Sequence, residues 1–168
     1  MIDTPFRIMG VDPGLVRTGY GIIDIIHEKP NLIDFGIISN TGKRKIPERL
    51  LKIYNRISGM IDKHQPDVLA IEEVFFSDNP QSALKLGQAR ASVILAAMHK
   101  QLAVVEYSAL EVKKSVTSYG RATKDQVQAM VKILLNMDEP PRHSDSADAL
   151  AIALCHSHSM KFKALTEQ

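Results

Sequence analysis

Four acidic residues of this 168-residue chain stand at the ends of apolar runs, where a carboxylate is least welcome. Asp12 closes Phe6-Arg7-Ile8-Met9-Gly10-Val11, and Glu72 closes Asp67-Val68-Leu69-Ala70-Ile71. Asp145 and Asp148 begin the stretch that continues Ala149-Leu150-Ala151-Ile152-Ala153-Leu154. An acid in or beside a buried element is costly unless it is paired, protonated or bound to a metal. No matching basic residues accompany these acids in sequence, so any fold the chain adopts must resolve their charge another way. Four hard oxygen donors point to a divalent-cation site, a chemistry suited to phosphodiester cleavage.

The length suits one domain, here residues 1–168, with enough bulk for a real core. An apolar fraction of 45% is ordinary for a globular chain, and no apolar run is long enough to span a bilayer. The N-terminus lacks the basic and apolar regions of a signal peptide, and the single cysteine, Cys155, has no internal disulfide partner. Both features fit a cytoplasmic location. The net charge of +2 is uninformative by itself, but its distribution is not. Lys43, Arg44, Lys45, Arg49, Lys52 and Arg56 form one basic cluster, and Lys113, Lys114, Arg121 and Lys124 form another. Each reads either as a solvated face or as a nucleic-acid contact.

Residues 6–12 read as a buried strand with an Asp-Pro-Gly exit turn. Residues 18–26 and 31–39 read as two more strands, joined through the polar link His27-Glu28-Lys29-Pro30. Pro47 opens a helix to about residue 63, in which Leu50, Ile53, Tyr54, Ile57 and Ile61 recur at helical spacing. Strands at 67–73 and 102–106 flank a helix over 80–101, and helices follow near 109–118, 123–136 and 144–158. This order predicts an α/β fold: a mixed five-stranded sheet, part antiparallel hairpin and part parallel, flanked by helices. Asp145 and Asp148, three residues apart, share one helix face; Asp145 alone could equally cap the helix. Cys155 reads as core, and His156 and His158, two apart on a helix, diverge and make a poor metal pair.

Four motifs carry a family resemblance. Gly10-Val11-Asp12-Pro13-Gly14 with Thr18-Gly19-Tyr20-Gly21 comes first, then Ala70-Ile71-Glu72-Glu73-Val74-Phe75. Ser82-Ala83-Leu84-Lys85-Leu86-Gly87-Gln88-Ala89-Arg90 follows, and Asp145-Ser146-Ala147-Asp148-Ala149-Leu150-Ala151-Ile152-Ala153 is last. Together, in this order and across about residues 6–158, the set resembles the RuvC family of crossover (Holliday) junction endodeoxyribonucleases. The resemblance implies an RNase H-like fold and a homodimer acting on four-way junction DNA in recombination and repair. It implies magnesium-dependent nicking of two opposed strands, with two Mg2+ per active site and Mn2+ as a substitute. RuvA and RuvB, a branch-migration motor, are the implied partners.

The same resemblance assigns metal-binding and catalytic roles to Asp12, Glu72, Asp145 and Asp148. Some relatives use His at the third position, so His143 competes with Asp145; the three-residue spacing to Asp148 favours Asp145. Lys113 and Lys124 match basic residues near the scissile phosphate, and Lys114 and Arg121 are further phosphate candidates. Phe75 matches an aromatic that stacks on an unpaired base at the crossover, against the alternative that Phe75 and Phe76 are both core. Ala91 departs from the family, where many relatives have Gly. Glu73 should face away from Glu72, because successive strand side chains alternate. Gly10-Val11-Asp12-Pro13-Gly14 also invites comparison with the phosphate loop of sugar-kinase and actin-like ATPases, but those folds need two such domains.

Overall fold

The first strand organises the molecule because both of its faces are covered. In the computed structural model, which describes residues 4–73 and 79–166 with side chains as far as Lys161, β1 (Phe6–Asp12) lies at the centre of a five-stranded sheet. The other strands are β2 (Arg17–Ile26), β3 (Lys29–Ser39), β4 (Val68–Glu72) and β5 (Ala103–Tyr107). Their order across the sheet is β3-β2-β1-β4-β5. β1 pairs antiparallel with β2 and parallel with β4, and β5 continues the parallel half. The expected mixed sheet is therefore present, with its antiparallel and parallel portions meeting at β1.

Alternation along β1 divides the core in two. Ile8 joins Ile23, Val68 and Ala70 under α5 (Ser144–Thr166), α3 (Ala109–Thr117) and α4 (Lys124–Leu134). Met9 and Val11 join Ile22, Leu69 and Ile71 under α1 (Ile46–His64) and α2 (Pro80–His99). With a period of two, Asp12 follows Ile8 and Gly10 onto the α5 face, and Glu72 follows Val68 and Ala70 onto that same face. Val11 pairs with Ile71, so the two acids are side by side at the ends of parallel neighbours.

α5 is buried on all sides from Ala149 to Ser157, wedged between the sheet and α3 and α4. A helix apolar all round belongs in a core. It comes unusually near the sheet because glycines face it. A Cβ on Gly10 would lie 2.1 Å from the Ala149 carbonyl oxygen, and one on Gly19 would lie 1.9 Å from that of Asp145. Glycine at these positions sets the depth at which α5 sits.

Two boundaries differ from expectation for physical reasons. The link between β2 and β3 is a two-residue turn, because His27 and Glu28 both take left-handed φ, 48° and 63°. Lys29 and Pro30 therefore belong to β3, paired with Ile26 and Ile25. α5 runs on to Thr166 rather than stopping near 158. The remaining helices and strands start and end within about two residues of the sequence reading, the usual fraying of element ends. Cys155 is buried in α5, where burial pushes its thiol up to about 11. His156 and His158 diverge as expected: one Nδ1 meets the Tyr107 hydroxyl at 2.7 Å, the other meets Ser115 Oγ at 2.9 Å.

Candidate active site

Asp12, Glu72 and Asp148 line one cleft of about 240 Å³, together with Lys113, Lys124, Val112, Val127 and Ile152. Each acid arrives on a different element: the end of β1, the end of β4 and the first turns of α5. The lysines arrive on two short helices with well-made starts. Ser108 and Glu111 form a capping box on α3, and Thr123 and Gln126 form one on α4. These caps fix Lys113 in the second turn of α3 and Lys124 at the first position of α4.

The acids burden one another. Burial, then the charges of Asp148, Glu72 and Asp145, push the Asp12 carboxyl up to about 8, against a smaller opposing pull from Lys124. Glu72 is raised by burial and by Asp148, and Asp148 by burial and by Asp145, with Lys124 opposing. Lys124 Nζ lies 3.4 Å from Asp148 Oδ2, and this pairing raises the lysine in turn. Raised carboxyls gathered in a cleft are a hallmark of functional sites. Among the described residues no three such groups close into a ready chelate. Their chemistry nevertheless fits a divalent cation: hard oxygen donors, each opposed to ionising by burial and by its neighbours' charge, gain most from a shared positive ion.

Asp145 is turned differently from Asp148. It lines a second, larger cleft of about 430 Å³ with Gly14, Leu15, Val16, Arg17, Ser82, Lys85 and Leu86. Its charge is still felt by Asp12 and Asp148, whose carboxyls it helps to raise. It makes no side-chain hydrogen bond among the described residues, so the capping alternative gains no support. His143 lines neither cleft; its carbonyl accepts from Ser146 Oγ at 2.7 Å and from the amides of Ser146 and Ala147. Lys114 and Arg121 are exposed and also line neither cleft. Lys114 is displaced because the next residue along a helix turns about 100° away from Lys113. Phe75 and Phe76 lie outside the described residues. Glu73 is exposed, beyond the end of β4.

Sequence reasoning passed over three contributors. Arg90 reaches from α2 to the parallel edge, where its Nε donates to the Glu72 carbonyl at 3.2 Å and its Nη2 meets Glu106 at 2.6 Å. It ties the end of β4 to that of β5 and so steadies Glu72. Its place in the Gln-Ala-Arg motif was the one signal for it. Arg17 and Lys85 had none, because they approach each other only through the fold. Of the first basic cluster, Arg49 bonds the carbonyls of Arg44 and Gly42, and Lys52 bonds that of Ser39. These two hold the loop after β3, whereas Lys43, Arg44 and Lys45 are exposed.

A mixed sheet of this order, with acids from β1, β4 and a late helix converging at one end, defines an RNase H-like resolvase fold. A family profile described as crossover junction endodeoxyribonuclease RuvC matches residues 8–156. The chain belongs to the RuvC family. A crossover junction endodeoxyribonuclease RuvC of Alkaliphilus metalliredigens is 46% identical over 158 residues, covering 94% of this chain and 96% of the relative. Another from Citrifermentans bemidjiense is 48% identical over 158 residues, covering 94% and 96%. Among solved structures, Thermus thermophilus RuvC in complex with a Holliday junction substrate superposes with a TM-score of 0.89. It shares 31% identity, over 94% of this chain and 96% of that one.

Proposed function

We propose that this protein is a crossover junction endodeoxyribonuclease that nicks opposed strands of four-way DNA junctions as a homodimer. The observation that carries this reading is the convergence of Asp12, Glu72 and Asp148 beside Lys113 and Lys124, in a chain of the RuvC family. Asp12, Glu72, Asp148 and Asp145 would hold two Mg2+ ions, with Mn2+ as a substitute. Bound there, the metal supplies a water nucleophile at neutral pH and charge stabilisation for the departing 3′-oxygen. Lys113 and Lys124 hold the phosphate's charge at the mouth of the cleft, while Val112, Val127 and Ile152 limit the water that reaches it. Lys114 and Arg121, outside the cleft, take phosphates farther along the DNA. Phe75 stacks on an unpaired base, an interaction worth roughly 1–3 kcal/mol. The test is nicking of a synthetic immobile junction with and without Mg2+, beside a linear duplex of the same sequence. Paired nicks on the junction alone are expected; equal cutting of the duplex, or none of either, overturns the reading.

Lys113→Ala and Lys124→Ala should slow nicking and flatten the salt dependence of junction binding. The log–log slope should fall by roughly 0.7–0.9 for each phosphate no longer neutralised. Parental rates and slopes across salt would return both lysines to the role of solvated surface.

The outer face of α2 supports the dimer. Leu84, Leu95 and Met98 are 69%, 61% and 58% exposed, and Gln88 and Ala91, also exposed, complete their strip. Spacings of four and three residues make this a narrow helix seam, self-complementary about a two-fold axis. Ala91 lies on the seam, so its extra methyl meets no crowding within the protomer. Leu95→Glu should convert the dimer to a monomer in sedimentation and abolish paired nicking; an unchanged sedimentation profile would move the interface elsewhere. RuvA and RuvB remain the proposed partners, acting with the protein on DNA in the cytoplasm. Among the described residues, no helix is long and apolar enough to cross a membrane.

A further inference from the structure

The acids are flanked by two clefts, one on each side of the sheet's end. Towards the α3–α4 layer lies the cleft with Lys113 and Lys124. Towards the α1–α2 layer lies the larger cleft, walled by the turn Gly14–Arg17 and by the first turns of α2, with Asp145 in its lining and near enough to Asp12 for its charge to be felt there. A polynucleotide whose phosphate sits at the acids must enter on one side and leave on the other.

We propose that Arg17 and Lys85 form a second phosphate-binding subsite, which takes the backbone of the strand where it continues past the acids beside Asp145. The proposal rests on the junction-nuclease reading and names residues that reading does not use. Both cations are exposed, and neither side chain has an ion-pair or hydrogen-bond partner among the described residues. Arg49, Lys52, Arg90 and Lys124, by contrast, all have partners. Among the described residues Asp145 is the one acid lining the cleft; assigned to metal, it leaves Arg17 and Lys85 there without a described counter-charge. Ser82, on the same wall, adds a hydroxyl that can donate to a phosphate oxygen.

The supports are rigid, as a binding subsite requires. Thr18 Oγ1 is fully buried and donates to the Gly14 carbonyl at 2.8 Å, closing the turn. The Val16 carbonyl accepts from the Asn40 amide at 2.8 Å, and Arg17 pairs with Ser39 in the sheet. On the other wall, the Asn79 side chain caps α2 by accepting from the amides of Gln81 and Ser82. Arg17 and Lys85 are thus flexible side chains on fixed bases.

The experiment compares the parent with Arg17→Ala/Lys85→Ala on the same junction. Junction affinity is measured across salt concentrations in chelator, then with single methylphosphonates, which remove one phosphate charge at a time, placed on each side of the cut. Removing both cations should reduce the salt slope by roughly 1.5. One or two phosphates on a single side of the cut should be sensitive to neutralisation in the parent and insensitive in the variant. Lys85→Ala alone, on an exposed helical turn, should give about half the change in slope and guards against a folding effect at Arg17. A parent that nicks junctions while the variants keep its slope and its methylphosphonate pattern overturns the subsite alone. A parent that does not nick junctions overturns the reading beneath it.

Discussion

Asp12→Asn is expected to reduce junction nicking by roughly 10³-fold or more, the scale set by removing a charge-stabilising group at a reacting centre. Junction affinity should stay near the parent's, because phosphate binding comes mainly from Lys and Arg. The same substitution should change stability in the opposite sense. In chelator, the folded protein holds a proton on Asp12 up to about pH 8, whereas an unfolded aspartate releases it near pH ~4. Between these limits the folded state binds more protons than the unfolded one, so stability falls as pH rises. The slope from this group reaches about 1.4 kcal/mol per pH unit. Asp12→Asn removes that slope and should melt higher than the parent at pH 8. Thermal melts of both proteins in chelator at pH 5 and pH 8 check this. Parallel pH dependence in parent and variant would show that the buried charge is not being resisted at Asp12.

Gly19→Ala carries the second large effect. The new Cβ would lie 1.9 Å from the Asp145 carbonyl oxygen, 2.3 Å from its carbon and 2.9 Å from the Ser146 amide nitrogen. These are backbone atoms, so no rotamer change relieves the overlap and α5 must retreat from the sheet. Overpacking of this kind costs about 3 kcal/mol or more, or about 6–12 °C in melting temperature for a chain of this size. Nicking should fall further than the folded fraction does, since a misplacement of about 1 Å at a reacting centre can cost about 10²-fold. Gly59→Ala is the control. Its Cβ would meet nothing within 4 Å, and it lies within α1. It should stabilise by about 0.5–1 kcal/mol. If Gly19→Ala melts and nicks like the parent, α5 is not seated as described.

These two sites mark how far the sequence could be read. Asp12 and Glu72 were legible because each ends a run of buried β residues, and alternation with parallel pairing then delivers both to one face. α5 was legible from its continuous apolar core, but its last turns were not, because Ser159-Met160-Lys161-Phe162-Lys163-Ala164 alternates with a period of two rather than a helical one. That Asp145 and Asp148 line different clefts was hidden. It depends on how α5 is rotated and how deep it sits, and Gly10 and Gly19, distant in sequence, control both. The cleft holding Arg17 and Lys85 joins a turn to a helix across 68 positions of chain, beyond the reach of any local pattern. The two-residue turn was missed because His27 and Glu28 take a left-handed backbone that such residues seldom adopt.

The sheet also has two unequal rims. β5 forms a rim five residues long and β3 one of eleven, and an edge of that length is a template on which another chain can build a strand. The sequence of β3 works against such growth. Pro30 has no amide hydrogen to give, and Lys29 and Asn31 stand exposed beside it. The ladder to β2 slips at Ile22/Ile23, which interrupts the regular rim, and Asp34 keeps a charge there, 3.7 Å from Lys63. Edge-to-edge growth into fibrils or amorphous aggregates is thus disfavoured at β3, so the surface this sheet turns to other chains is one on which they gain no strand.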